Sequence, residues 1–186
     1  MIFDGASATL APASAARTTT LFSLAGVTKM MTSGLVLRLW EEGRLDLEEP
    51  IARYVPYLPE ADRITLRMLL RHTSGLQDYL NDRDIQRKLA EPDHAWTRDE
   101  VLHAVQRVNF APGSRYQYSN TNFVALGAAI ERASGKSVEA AFWQFVAEPV
   151  ALTRSFFVFD PAVATIWIRM EAAHTRELSP NSLVNR

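Results

Sequence analysis

Residues 112–120 read Pro-Gly-Ser-Arg-Tyr-Gln-Tyr-Ser-Asn and join a turn to an amphipathic segment. The Pro-Gly pair favours the turn. Asn120 or Thr121 is a suitable first residue for a helix, and Gly135 is a suitable last one. We therefore predict a helix that starts directly after the Tyr-Ser-Asn triplet. Its inner face would carry residues at helical spacing, namely Phe123, Leu126, Gly127 and Ile130.

Other segments also have helical patterns. Residues 27–42 are apolar nearly all round, which predicts a buried helix with Gly43 just beyond its end. Thr65 is the candidate cap of a short helix, and Thr97 with Glu100 forms a capping-box pattern for a helix reaching residue 108. A further helix is predicted over residues 137–146, stopped by Pro149. The chain would thus hold about five helices.

The remaining segments are less regular. Three prolines within residues 45–59 predict an irregular connection with at most one helical turn. The charged residues of 78–90 predict a solvated surface helix or loop. Residues 153–159 form the clearest strand candidate. We divide the chain into a loosely structured leader over 1–20, a main region over 21–160 and a tail of uncertain structure over 161–186.

Composition excludes several classes of function. The chain has 186 residues, 20 Lys and Arg against 21 Asp and Glu, and no cysteine. The formal net charge of −1 gives no case for binding nucleic acid or an anionic membrane. Without cysteine there is no thiolate nucleophile, disulfide or cysteine-based metal site. No His pattern has metal-ligand spacing, and no cofactor motif is found, so we expect neither metal nor cofactor.

Targeting signals are also missing from the given residues. No stretch approaches the roughly 20 apolar residues of a membrane span. Residues 1–16 contain no Lys or Arg and no continuous apolar run, so we expect no signal peptide in them. The expectation is a soluble protein, cytoplasmic as it stands, with a periplasmic or secreted location open for a longer native form.

Three segments in order resemble a family of serine hydrolases. They are residues 21–29 (Leu-Phe-Ser-Leu-Ala-Gly-Val-Thr-Lys), 69–76 (Leu-Leu-Arg-His-Thr-Ser-Gly-Leu) and 112–120. Together they resemble the β-lactamase-like family, which includes class C β-lactamases, D-alanyl-D-alanine carboxypeptidases of the penicillin-binding type, esterases and D-amino-acid amidases. The resemblance extends over about 21–159. It implies an α+β fold in which helices pack on an antiparallel sheet, with this chain supplying mainly the helical part.

The resemblance also implies a set of catalytic residues. The family uses a Ser-x-x-Lys motif, in which the serine and lysine share one face of a helix, and a Tyr-x-Asn motif that lines the same cleft. Lys29 and Tyr118 occupy the two catalytic positions, and Asn120 occupies the substrate-binding position. The implied partner is a small-molecule or peptide-like acyl substrate.

The nucleophile position departs from the family pattern. Gly26 stands three residues before Lys29, where the family has serine, and no other serine precedes a lysine at this spacing. The family's third motif, Lys-Thr-Gly or His-x-Gly, does not occur in residues 1–186, and its first strands have no counterpart in the leader. We expect a hydrolase that is weak or inactive as it stands, whether it is an engineered variant, a natural pseudoenzyme or a truncated remnant. The alternative is a non-catalytic binding or interaction module that uses the same cleft.

Each candidate residue has a structural alternative. Lys29 could be a helix lysine whose stem lies on the core, and Tyr118 could be a core aromatic. Asn120 could have no role other than capping the following helix. His72 is interpreted as a buried, hydrogen-bonded structural residue. With no sheet to cover the helices, we also expect an exposed apolar surface and self-association through it.

Overall fold

One long helix lies at the centre of the fold and touches most of the others. The computed structural model describes residues 25–83, 85 and 97–151. In this part of the chain five α-helices follow one another, and α4 packs against each of the other four. Their bounds are α1 Thr28–Glu41, α2 Leu66–Leu70, α3 Arg98–His103, α4 Thr121–Ser134 and α5 Val138–Phe142.

The predicted helix after the Tyr-Ser-Asn triplet is confirmed as α4. It ends at Gly135, whose φ of +67° is the left-handed conformation of a helix C-terminus. Most of its side chains are buried, among them Leu126 and Ile130, because neighbours lie on several sides of it. At Gly127 the Val138 side chain would lie 3.7 Å from an added Cβ, an ordinary van der Waals contact, so α5 packs against this turn of the helix.

Helix α1 is amphipathic, which corrects the expectation of burial all round. The side chains of Leu35, Val36 and Leu39 are buried in the core. On the opposite side Met30 is 74% exposed and Trp40 is 44% exposed. The predicted end of the helix is confirmed, since the backbone N–H of Glu42 closes onto the Arg38 carbonyl.

The connection from α1 to α2 is irregular, as the prolines predict. It contains one 3-10 turn, Ile51–Arg53, and its apolar side chains close one side of the core. The Ile51 backbone N–H donates to the Ile64 carbonyl at 2.7 Å, which draws the connection into a loop. Thr65 caps α2 by accepting the Met68 backbone N–H at 3.3 Å, as predicted.

Helix α3 has the predicted capping box but is shorter than expected. Thr97 and Glu100 bond reciprocally, yet the helix ends at His103 rather than residue 108. Beyond it the chain turns to pair with residues 75–77, and the Asn109 backbone N–H donates to the Gly75 carbonyl at 2.7 Å. These tertiary bonds replace the next helical turn.

The last described helix changes type along its length. Ser137 caps α5, which is regular only to Phe142. A π-helical turn, Trp143–Ala147, and a 3-10 turn, Glu148–Val150, continue it. The helical path therefore passes the predicted stop at Pro149, because a proline near the start of a helical turn loses no hydrogen bond.

The segment beginning at residue 78 is partly buried, which corrects the expectation of a solvated stretch. Asp78 is 8% exposed and Tyr79 is 1% exposed. Ile85 is likewise buried. Residues 84 and 86–90 of that segment lie outside the described part of the chain, as do the leader, the strand candidate at 153–159 and the tail.

The described residues form no regular strand. They contain only two isolated bridges, between Pro50 and Thr65 and between Leu76 and Val108. The mostly helical character predicted from the sequence is confirmed over this part. Among its helices none has the length and apolar character needed to cross a bilayer.

Gly75 supports the pairing of residues 75–77 with 107–109, so its substitution should be costly. It has a φ of +80°, and a Cβ there would overlap the Phe110 carbonyl oxygen. We expect Gly75→Ala to lower the free energy of unfolding by more than the roughly 1–2 kcal/mol of the backbone strain alone. Gly34→Ala is the matched control, because Gly34 is helical and nothing lies within 4 Å of its added Cβ. It should stabilise the chain by roughly 0.5–1 kcal/mol. Urea unfolding of both variants checks this; equal stability of the two contradicts it.

Candidate active site

Lys29 and Tyr118 meet at the start of α1. The Lys29 Nζ lies 5.2 Å from the Tyr118 ring centroid and 5.7 Å from the Phe123 ring centroid. An ammonium at this distance from an aromatic face is attracted to it. The Tyr118 side chain is 44% exposed, so it is a surface residue rather than a core aromatic.

Asn120 lies beside the phenol and does not cap the helix that follows it. The Tyr118 hydroxyl donates to the Asn120 Oδ1 at 3.3 Å. No side-chain cap bond is formed at the start of α4. Instead the Asn120 Nδ2 donates to both carboxylate oxygens of Asp78 at 3.2 Å. The structure thus brings Lys29, Tyr118 and Asn120 to one place.

Gly26 lies one turn before Lys29, in the 3-10 turn Ala25–Val27 that leads into α1. It is exposed, and among the described residues no heavy atom lies within 4 Å of a Cβ added there. Its φ lies outside the left-handed region that favours glycine. Neither space nor backbone conformation therefore demands glycine at this position, and a serine side chain fits it.

His72, just after α2, forms hydrogen bonds with the segment that contains the Tyr-Ser-Asn triplet. Its Nδ1 accepts the Ser119 backbone N–H at 3.2 Å and the Asn122 Nδ2 at 3.0 Å. Its carbonyl accepts the Gln117 backbone N–H at 2.9 Å. The imidazole ring also lies 4.5 Å from the Tyr118 ring, centroid to centroid. The interpretation of His72 as buried and hydrogen-bonded matches this geometry.

The protonation of His72 follows from these bonds. Burial lowers the pKa of the imidazole below its ordinary value, and the charge of Lys29 lowers it further. Because Nδ1 accepts two hydrogen bonds, the proton of the neutral ring resides on Nε2. His72 is therefore a fixed neutral support for Tyr118 and Ser119.

Sequence reasoning missed several polar residues of this network. Ser74 donates to the Asn122 Oδ1 at 2.6 Å and accepts the Leu76 backbone N–H at 3.1 Å. Asn122 is fully buried and links Ser74 to His72. Asp78 was counted within a solvated charged run. The local signal was weak: Asp78 and Asn122 are each followed by an aromatic residue, whereas Ser74 lies between Thr73 and Gly75.

Charged clusters suited to a metal ion are not found among residues 25–83, 85 and 97–151. The site as described offers a lysine amine, a phenol, a carboxamide and one buried carboxylate. These groups can position and polarise an acyl group by hydrogen bonding and can move a proton.

Comparison with known protein families identifies the family to which a chain with this site belongs. The β-lactamase family model matches residues 2–182. The chain belongs to the β-lactamase family. Esterase EstB of Burkholderia gladioli is 38% identical over 156 residues, which cover 76% of this chain and 40% of EstB. A teichoic acid D-alanine hydrolase of Staphylococcus aureus is 26% identical over 140 residues, covering 74% of this chain and 33% of that protein.

Solved structures give the same β-lactamase-family fold. A D-stereospecific amidohydrolase from Streptomyces sp. superposes with a TM-score of 0.63 at 32% identity, over 68% of this chain and 41% of that one. The D-amino acid amidase of Ochrobactrum anthropi SV3, complexed with D-phenylalanine, gives 0.64 at 28% identity over 77% and 42%. The β-lactamase-like fold inferred from the sequence is confirmed. The chain spans about 40% of the length of EstB and of these two structures.

The role of His72 can be tested by a matched pair of variants. His72→Ala leaves the Ser119 N–H and the Asn122 amide without their acceptor, at about 1–3 kcal/mol for each donor left unpaired. His72→Asn should lose much less, since its short acceptor can replace Nδ1 and asparagine tolerates the φ of +56° found here. Thermal unfolding measures both, and equal losses contradict the proposed bonding.

The lowered pKa of His72 fixes the direction in which the stability of the chain changes with pH. The folded pKa of His72 is depressed, so its contribution to stability is present above the unfolded value of about 6.5 and is lost as pH falls through the folded value. We expect the loss of stability between pH 7 and 5 to be smaller in His72→Asn, which has no titrating ring. Denaturant midpoints across this range measure it, and identical pH profiles contradict it.

Proposed function

We propose that this cleft binds a small-molecule or peptide-like acyl ligand, an amide, lactam or ester, and that acyl transfer from it is severely impaired because residue 26 is glycine. The observation that carries the proposal is the meeting of Lys29, Tyr118 and Asn120, with Gly26 one turn before Lys29 at a position that has room for a side chain. The named activities of the relatives, an esterase, a D-alanine hydrolase and amidases, supply the reaction class.

The chemistry requires a hydroxyl at position 26. A serine there would be one helical turn from the Lys29 amine, which could accept its proton while the oxygen attacked the acyl carbonyl. The ester bond to the serine would form as the amine or alcohol of the substrate departed with a proton. Glycine offers no such oxygen, and removal of a nucleophile of this kind costs roughly 10⁴–10⁶ in rate.

The groups that remain can still hold a ligand. Lys29 offers an ammonium or amine, Tyr118 a hydroxyl and Asn120 a carboxamide, none of which depends on residue 26 for its position. A non-catalytic binding module is therefore the second candidate, and Gly26 is the observation that favours it. The two candidates differ in whether a hydroxyl at position 26 restores acylation.

Restoring the serine tests the proposal directly. We expect Gly26→Ser to form a covalent acyl adduct with a chromogenic cephalosporin or a short-chain p-nitrophenyl ester, and to raise turnover of at least one of them by about 10²-fold or more. Intact-mass spectrometry and absorbance kinetics measure the two effects. The mechanism depends on Lys29, so Gly26→Ser combined with Lys29→Met should lose the gain.

Gly34→Ser is the matched control, because it adds the same hydroxyl eight residues further along, within α1, where nothing lies within 4 Å of an added Cβ either. It should leave the protein without adduct. Saturable turnover by the unaltered protein would show that the assignment of impairment is wrong. Binding without an adduct in Gly26→Ser would favour the binding module.

We also propose self-association through the exposed face of α1. Met30, Leu37 and Trp40 lie at helical spacing and are 74%, 42% and 44% exposed. Burial of such a face removes apolar area from water and favours association. Light scattering after size-exclusion chromatography should show a concentration-dependent dimer that Leu37→Lys weakens, whereas Arg38→Lys on the same helix should not. A monomer at all concentrations contradicts this.

A further inference from the structure

Asp78 is a buried carboxylate that the chemistry described so far does not use. It is 8% exposed and lies beside the candidate site rather than among the surface ion pairs. A carboxylate in this position is costly unless hydrogen-bond donors surround it. Its surroundings therefore indicate what it holds in place.

Donors from two segments converge on Asp78. In its own loop the Leu80 backbone N–H donates to Oδ1 at 3.3 Å, and the Asn81 Nδ2 donates to Oδ2 at 2.5 Å. From the other segment the Asn120 backbone N–H donates to Oδ1 at 3.1 Å. The Asn120 Nδ2 donates to both oxygens at 3.2 Å. The loop thus fixes the carboxylate, and the carboxylate fixes Asn120.

These bonds decide which way the Asn120 carboxamide points. An ionised carboxylate can only accept hydrogen bonds, so it must face the NH₂ group of the amide. The oxygen then faces the opposite side, where it accepts the Tyr118 hydroxyl at 3.3 Å. The reversed amide would set its oxygen against the carboxylate, which has no proton to donate to it, and would lose the two bonds from Nδ2.

We propose that Asp78 is a positioning residue that fixes the Asn120 carboxamide with its oxygen toward Tyr118, so that the site presents an acceptor there and prefers ligands with an N–H group at that point. The ligand preference rests on the proposed function, whereas the amide orientation does not. A carbonyl oxygen has a second lone pair after it accepts the phenol, and a ligand N–H can fill it. An ester oxygen in place of that N–H has no proton to donate.

The orientation is tested without any ligand, by nuclear Overhauser effects from the Asn120 Nδ2 protons in the unaltered chain. We expect contacts to the Asp78 β-protons and none to the Tyr118 ring protons next to the hydroxyl. The resonances are assigned by their loss in Asn120→Asp. Strong contacts to the Tyr118 ring overturn the proposal. Because this measurement uses the unaltered protein, it stands even if a variant of Asp78 does not fold.

The ligand preference is tested with two neutral isosteres, N-acetyl-D-phenylalaninamide and O-acetyl-D-phenyllactamide, which differ in one N–H replaced by an oxygen. We expect the unaltered chain to bind the first about 10-fold more tightly, the size of one good hydrogen bond. In Asp78→Asn, whose amide can face Asn120 with either end, the ratio should fall below about 3-fold. Asp99→Asn is the control, since it removes an equal charge from a carboxylate that bonds Tyr57.

The outcomes separate the two ideas. Equal affinity of the unaltered chain for both ligands overturns the preference, as does a ratio that Asp78→Asn leaves unchanged. Failure of both ligands to bind, with the expected Overhauser contacts present, overturns the proposed function and the preference but supports the orientation. A ratio that falls equally in Asp99→Asn assigns the effect to net charge and overturns the role of Asp78.

Discussion

The hydrogen bond from the Ser119 backbone N–H to the His72 Nδ1 joins the two segments on which the rest of the site depends. Both atoms are buried, so each would be costly without the other. His72 has the left-handed backbone conformation, with a φ of +56°, which residues other than glycine rarely adopt. The buried bonds to Ser119 and Asn122 offset that strain. They set the rings of His72 and Tyr118 together, and Lys29 reaches that pair from α1.

Position 26 differs from the rest of the site because none of the described side chains packs against it. Gly26 is exposed, and its space is open. The bonds that hold Tyr118 and Asn120 come from residues 72 and 78, in a separate part of the chain. A serine could therefore be lost at position 26 without disturbing the cleft. Under the proposed function, a substitution at position 26 would therefore change the chemistry and leave the arrangement of Tyr118 and Asn120 in place.

How much the sequence predicts depends on whether the controlling interaction is local. Thr65, Thr97 and Gly135 set helix ends through bonds within three or four residues, and those ends were predicted. The C-terminus of α3 is set by the pairing of residues 107–109 with residues 75–77, which are distant in sequence. The sequence pattern therefore places the end of this helix five residues beyond its actual end at His103. Asp78 was missed for the same reason. Its charge predicts exposure, but its partner Asn120 is 42 residues away. The site residues themselves were found only through motif resemblance.

Asp78 and His72 act on adjacent residues of one short segment, and this arrangement constrains what the segment can do. His72 holds the backbone of Ser119, while Asp78 holds the backbone and the side chain of Asn120. Between them the Tyr118 side chain is the exposed group, with its hydroxyl tied only to the carboxamide oxygen among the bonds described. The backbone of this segment is thus held by hydrogen bonds to residues 72 and 78, whereas the Tyr118 hydroxyl bond lies at the surface. Under the proposed function, a polar acyl ligand would displace that one bond and engage the phenol and the amide together without moving the backbone.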